Sequence, residues 1–307
     1  GGGRWAAPIL RLRKVAIGAP DDASKVSADK LDVEFSLGSL LRGEWRATEL
    51  SLEGVALDLG LDKQGRIDWP SAKGRFNLGA LAIDRLNLAG RVDLHDAASG
   101  AQFRLDDLVF NGDVRTLATG MRGEGYVNLA GVRTPFRVST GQTADNKGTR
   151  LRLTLDPGAR DLSADLDGVM TFEALSPRFD GAVMLARNSG NPWRISAKTA
   201  ASPATATLDQ IELAYGPDDV ALKFSGAGEM KFSSTPRLQA KLSAPQLDMD
   251  RWLAKRDQPS TPIKLMAGLR DLIAAIPPAS VPMTIDITAD QTALVCRALQ
   301  DAEPSMR

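Results

Sequence analysis

Few residues in this sequence are able to do chemistry. His95, in "VDLHDAAS", is the only histidine, and Cys296 is the only cysteine. A hydrolytic triad needs a histidine between a nucleophile and an orienting acid. Asp96 adjoins His95 in sequence, but successive residues of a strand point to opposite faces. His95 therefore reads as an exposed strand-end histidine. Zinc sites want several nitrogen or sulfur ligands, and one histidine and one cysteine far apart do not supply them. Three acid pairs stand out: Asp21-Asp22, Asp106-Asp107 and Asp218-Asp219. None lies in the spaced oxygen-ligand loop of calcium motifs. "GPDD", residues 216–219, has the composition of a hairpin turn. "ATGMRGEGYV" carries Gly120, Gly123 and Gly125, but a nucleotide fingerprint joins a strand to a helix. Here the residues that follow alternate as a strand. The reading is a protein that is not an enzyme, with no catalytic residue, cofactor or metal site.

Composition bounds the rest. The 307 residues suffice for one large domain or two ordinary ones, and 43% are hydrophobic, compatible with a packed core. Lys+Arg and Asp+Glu are both 38, so the net charge is zero. That disfavours a nucleic-acid partner, which calls for a basic field. The one local basic patch, "RLRK" at residues 11–14, reads as a solvated strand end. Aromatics are 5%, too sparse for stacking platforms. No apolar run approaches the roughly 20 residues of a membrane-spanning helix. The start, "GGGRWAAPILRLRK", has no signal-peptide pattern, and both ends read as if cut from a longer protein.

Most of the chain alternates with period two, as in "RFNLGALAIDRLNLAGRVDLHD", "AQFRLDDLVFNGDV", "TRLRLTLD" and "DGAVMLAR". Such runs between Gly, Asp and Asn predict antiparallel strands and hairpins, a dozen or more of them. A phrase recurs loosely at "LSLEGVALDL", "LNLAGRVDL" and "LVFNGDV", which suggests a meander of similar hairpins. The alternation changes parity at Gly54, where even Leu50 and Leu52 give way to odd Val55, Leu57 and Leu59. Two strands are expected in residues 49–69, with a register shift at Gly54 and a turn near Lys63 to Gly65. A second change falls at Asp106-Asp107. A one-residue shift inverts the faces unless a turn or bulge absorbs it. Helices are few. One is expected at residues 36–42, in "SLGSLLRGE", with Gly43 as its stop. Others are expected from about Asp248, and in "TPIKLMAGLRDLIAAIPP", capped by Thr261 and ended by Pro277-Pro278. The resulting organisation is a β-groove region at 1–245, a helical segment at 246–278, and a truncated further β unit at 279–307.

The first part of the chain resembles the start of AsmA-family proteins. The resemblance rests on "RLRKVAIGAP" with its V-x-I-G phrase at residues 15–18, on "SLLRG" at 39–43, and on the D-x-x-G-x-x-x-W ending at Asp62, Gly65 and Trp69. The later "LSAPQLDMDRWLA" looks like that family's short helix between β units. The family is related to TamB and to chorein-type bridge-like lipid-transfer proteins. What the resemblance implies is a long twisted antiparallel β-sheet curved into an open groove. It also implies a periplasmic location, an anchor in the bacterial inner membrane through an N-terminal helix that this chain lacks, and a part in outer-membrane biogenesis. Its partners would be phospholipids or other acyl-chain lipids.

The physics of the sequence agrees with a groove. Alternating strands with few helices must close into a barrel, fold into a sandwich, or leave an apolar face. Acyl chains need only continuous apolar lining, each buried CH₂ contributing roughly 0.8 kcal/mol. The expected lining is Leu50, Leu52, Leu57, Leu59, Ile83, Leu86, Leu88, Phe103, Leu105, Val127, Leu129, Phe136 and Val138. Two other readings stay open: an envelope-assembly scaffold without lipid cargo, and a hydrolase using the acidic pairs.

Overall fold

The structure is a computed structural model. It describes residues 8–17, 24–44, 46–68, 82–97, 100–116, 120–129, 131–156, 158, 161–190, 192–219, 221–233, 235–244 and 283–289. The two later predicted helices, Trp69, Asp21-Asp22 and Cys296 lie outside these residues.

The described chain is almost entirely β-structure. Its elements are β1 (Ile9–Ile17), β2 (Lys25–Phe35), α1 (Leu37–Leu41), β3 (Arg46–Leu61), β4 (Ile67–Asp68), β5 (Ala82–Asp96) and β6 (Gln102–Thr116). They continue with β7 (Gly120–Leu129), β8 (Val132–Gln142), β9 (Thr149–Leu155), β10 (Leu162–Glu173), β11 (Ser176–Arg187) and β12 (Trp193–Ala201). The last are β13 (Thr205–Tyr215), β14 (Leu222–Lys231), β15 (Arg237–Ala244) and β16 (Met283–Ala289). All sixteen strands form one sheet. Fifteen lie in a single path in chain order, and the short β4 pairs only with β3. The sheet is open, with β1 and β16 as its edges.

Most neighbours are antiparallel, as expected of hairpins. Two joints are parallel, β3 with β5 and β15 with β16, so the structure is not an uninterrupted meander. Parallel neighbours need a connection that returns the chain to the starting end; at both joints most of it falls outside the described residues. The edge strand β1 carries the basic patch, with Arg11, Arg13 and Lys14 all exposed. Charge on an edge discourages pairing with stray strands.

The two strands expected in residues 49–69 are β3 and β4, which pair across the turn that follows Leu61. The parity change is absorbed inside β3 by an irregularity between Leu52 and Val55. Gly54 sits there at φ 65°, and the Asp29 side chain lies against it. A Cβ at Gly54 would fall 2.1 Å from that carboxylate. Glycine tolerates this backbone at no steric cost. The second expected parity change is also a bulge: β6 shifts register between Asp106 and Val109, with Asp107 at φ 50°. A third, at Gln210 in β13, separates Ala206 and Leu208 from Ile211 and Leu213 in the same way.

The sequence motifs at the strand ends have local explanations. Ser36 caps α1 by accepting the Ser39 N–H, and Gly43 follows at φ 78°. In the D-x-x-G phrase, Asp62 Oδ1 accepts the N–H groups of Gln64 and Arg66, and its carbonyl accepts the Gly65 N–H. That is an Asx turn, with Gly65 at φ 71°. Residues 216–219 turn between β13 and β14, as their composition predicts.

Candidate functional site

The ladders decide which side chains share a face. Across β2, β3, β5 and β6, the pairs Val33↔Leu50↔Leu86↔Gly112 and Leu31↔Leu52↔Leu88↔Phe110 run in register. The rows continue through Phe110↔Gly125↔Phe136↔Leu155↔Ala164↔Leu185↔Ile195↔Leu213↔Phe224. Directly paired residues of neighbouring strands point the same way. One apolar face therefore extends across the sheet from edge to edge. The bulges at Gly54, Asp107 and Gln210 keep it on one side although the sequence parity changes.

Phe110 and Phe136 show how closely this face is packed. Their strands are separated by β7, a flat-sheet spacing of about 9.5 Å. Their ring centroids are 6.5 Å apart and the rings stack. Gly125 lies between them in the ladder and offers no side chain. A Cβ there would lie 1.8 Å from the Val109 carbonyl oxygen.

All thirteen expected lining residues lie on this face. Leu50, Ile83, Leu86, Val127 and Phe136 are buried. Leu52, Leu57, Leu59, Leu88, Leu105, Leu129 and Val138 are partly exposed, and Phe103 is 54% exposed. The set thus divides into a packed part and a partly exposed part, of which Leu52, Leu88, Leu105, Leu129 and Val138 lie against the packed one and Leu57, Leu59 and Phe103 do not. The packed part belongs to a cluster over β2–β8 that includes Val33, Phe35, Ala47 and Val114, with Leu40 of α1 against it. A second cluster, which the sequence reasoning did not place on the face, gathers Ala197, Ile211, Leu222, Phe224, Ala240, Leu242 and Ala244. Between them, β9, β10 and β11 contain no fully buried residue. Leu151, Leu153, Leu166, Val183 and Leu185 of that stretch are all partly exposed. For Leu151, Leu153, Val183 and Leu185 the alternation in "TRLRLTLD" and "DGAVMLAR" was the signal available.

The opposite face is polar and laced with ion pairs. Asp93 is buried between Arg91 and Arg104. The Arg104 hydrogen bond and then that of Arg91 hold its carboxyl below the ordinary range, against the opposing effect of burial. Lys30 bridges Glu53 at 2.9 Å and Asp32 at 3.0 Å. Arg137 pairs with Asp156, and Arg150 and Arg152 share Asp167. A cavity of about 620 Å³ follows the line of bulges on this side, bounded by Asp29, Gly54, Asp106, Asp107, Tyr126 and Arg133. The Arg133 guanidinium stands 3.5 Å over the Tyr126 ring.

The residues first considered for chemistry are dispersed. His95 is exposed and opposite Gln102. Asp106 and Asp107 form a bulge, and Asp218 and Asp219 form a turn. Among the described residues, no group of three or more His, Cys, Asp or Glu could hold a metal ion, and no helix is long and apolar enough to cross a membrane.

Fold and face together define a class: an open, single-sheet β protein with one side largely apolar. No family model matches the chain, and neither a curated protein nor a solved structure is found to be similar to it.

Proposed function

We propose that this chain is a non-catalytic, AsmA-like periplasmic protein that binds or conducts phospholipid acyl chains along its apolar face. Its role is in outer-membrane biogenesis, and an N-terminal helix outside this chain tethers it to the bacterial inner membrane. The observation that carries the binding is the continuity of the face. Apolar rows from neighbouring strands join into one track, and at β9–β11 that track is not fully covered. A track of interchangeable Leu, Val and Phe suits a sliding acyl chain, because each buried CH₂ contributes roughly 0.8 kcal/mol wherever it sits. Location and biological role come from the sequence resemblance alone.

The test is lipid carried through purification. Native mass spectrometry of the purified chain should find bound phospholipid. Replacing Leu57 and Leu88 together by Glu should remove it with the far-ultraviolet dichroism unchanged, because a carboxylate in an apolar track repels an acyl chain. Undiminished lipid in that double variant overturns the lining. A scaffold without cargo is the second reading, favoured by the two packed clusters. It predicts no lipid in the wild-type protein.

A further inference from the structure

The apolar face is interrupted by charge at two places among the described strands, Asp96 at the end of β5 and Arg187 at the end of β11. Asp96 is buried. Arg187 is the cation. It is in register with Leu162 on one side and Trp193 on the other, and Trp193 continues to Tyr215 and Leu222. These residues stand where their strands begin or end, so they form a rim of the face. The rim borders the partly exposed stretch of β9–β11.

The Nε of Arg187 is buried and has no hydrogen-bond partner. Among the described residues no carboxylate lies within ion-pair distance of its guanidinium. Asp161 feels the Arg187 charge, but its carboxylate is engaged by the Ser189 N–H. An unpaired donor of this kind is costly unless something accepts from it. Guanidinium matches phosphate oxygens in charge and fork geometry. Tryptophan and tyrosine suit the boundary between acyl chain and polar headgroup.

We propose that Arg187, framed by Trp193 and Tyr215, binds the phosphate of a phospholipid headgroup while the acyl chains lie along β9–β11. This rests on the lipid-binding reading and adds a headgroup selection to it. The carrier is an intact lipid, since the same rim opens directly onto apolar lining.

The experiment uses the full chain and two fluorescent probes in detergent micelles, an acyl-labelled phosphatidylglycerol and the matching diacylglycerol. The wild-type protein should prefer phosphatidylglycerol, and salt should weaken that preference. Arg187→Gln should weaken phosphatidylglycerol binding roughly tenfold, the scale of one lost charge-assisted contact, and leave diacylglycerol binding unchanged. Arg187→Lys should retain part of the preference, and both variants should melt like the wild type. Equal effects of Arg187→Gln on both probes, or none on either, overturn the headgroup site while lipid binding stands. Displacement of the lipid by inorganic phosphate far beyond the effect of chloride at equal ionic strength also overturns it, since the site would then be one for free phosphate. Failure of both probes to bind the wild type overturns the lipid reading itself.

Discussion

At the scale of single residues, the polar face is held by carboxylates whose protonation matters. Asp93 is the clearest, buried yet engaged by Arg104 and Arg91. Its folded pKa lies below the unfolded value, so its contribution is present above the unfolded carboxylate range and is lost as pH falls through the folded value. Both arginines are more than half exposed, so solvent screens the pair. Asp93→Asn should cost about 1 kcal/mol at neutral pH. Melting curves of variant and wild type should converge in acid. A gap that persists below the folded pKa would mean that shape, and not charge, is what Asp93 supplies. His95 shows the opposite case: its exposure and isolation were legible from sequence because a lone histidine at a strand end has nothing to work with.

At the scale of elements, the turns and bulges carry the specificity of the sheet. Gly54 and Asp107 were legible as parity changes. What they produce was not: the shift at Gly54 could have been a turn or a bulge, and it is a bulge inside β3. The reason is that a bulge and a break look alike in one strand, and only the partner strands show that pairing resumes. The β10–β11 hairpin has a feature that no sequence rule suggested. Its two turn residues, Ala174 and Leu175, both have positive φ, 48° and 69°. A two-residue hairpin with that backbone normally takes Asn-Gly. Leu175 is 60% exposed, so its side chain gains little from packing. Replacing Ala174-Leu175 by Asn-Gly should therefore stabilise the protein by about 1–2 kcal/mol, relieving the left-handed strain. A thermal melt that moves down would show that Leu175 has a partner that compensates for it.

At the scale of the molecule, the two packed clusters sit on one face without touching through a buried residue. β10 contributes to neither of them. Side chains with no shared partner are expected to act independently. Val114→Ala and Ile211→Ala should each destabilise, Ile211→Ala by roughly 2–5 kcal/mol and Val114→Ala by less. Combined, their effects should add to within about 0.5 kcal/mol. A larger coupling energy in chemical denaturation would show that the clusters communicate through β9–β11. The same stretch is where the apolar face has no fully buried residue, so it is the place where the lipid reading is tested most directly.

Period-two alternation, the Ser36 cap and the Asx turn at Asp62 are local features, set by neighbours a few residues apart. They were enough to determine a mainly β protein with one greasy and one wet side to each strand, and to name thirteen residues that share a face. Pairing is not local. Which strands lie beside one another, which two joints run parallel, and how bulges such as those at Gly54, Asp107 and Gln210 return the apolar rows to one side depend on contacts between distant segments. Tertiary structure alone divided those thirteen residues into packed and partly exposed sets. It also brought Arg187, Trp193 and Tyr215 into one row, because a ladder of backbone hydrogen bonds aligns residues whose spacing in the sequence carries no sign of it.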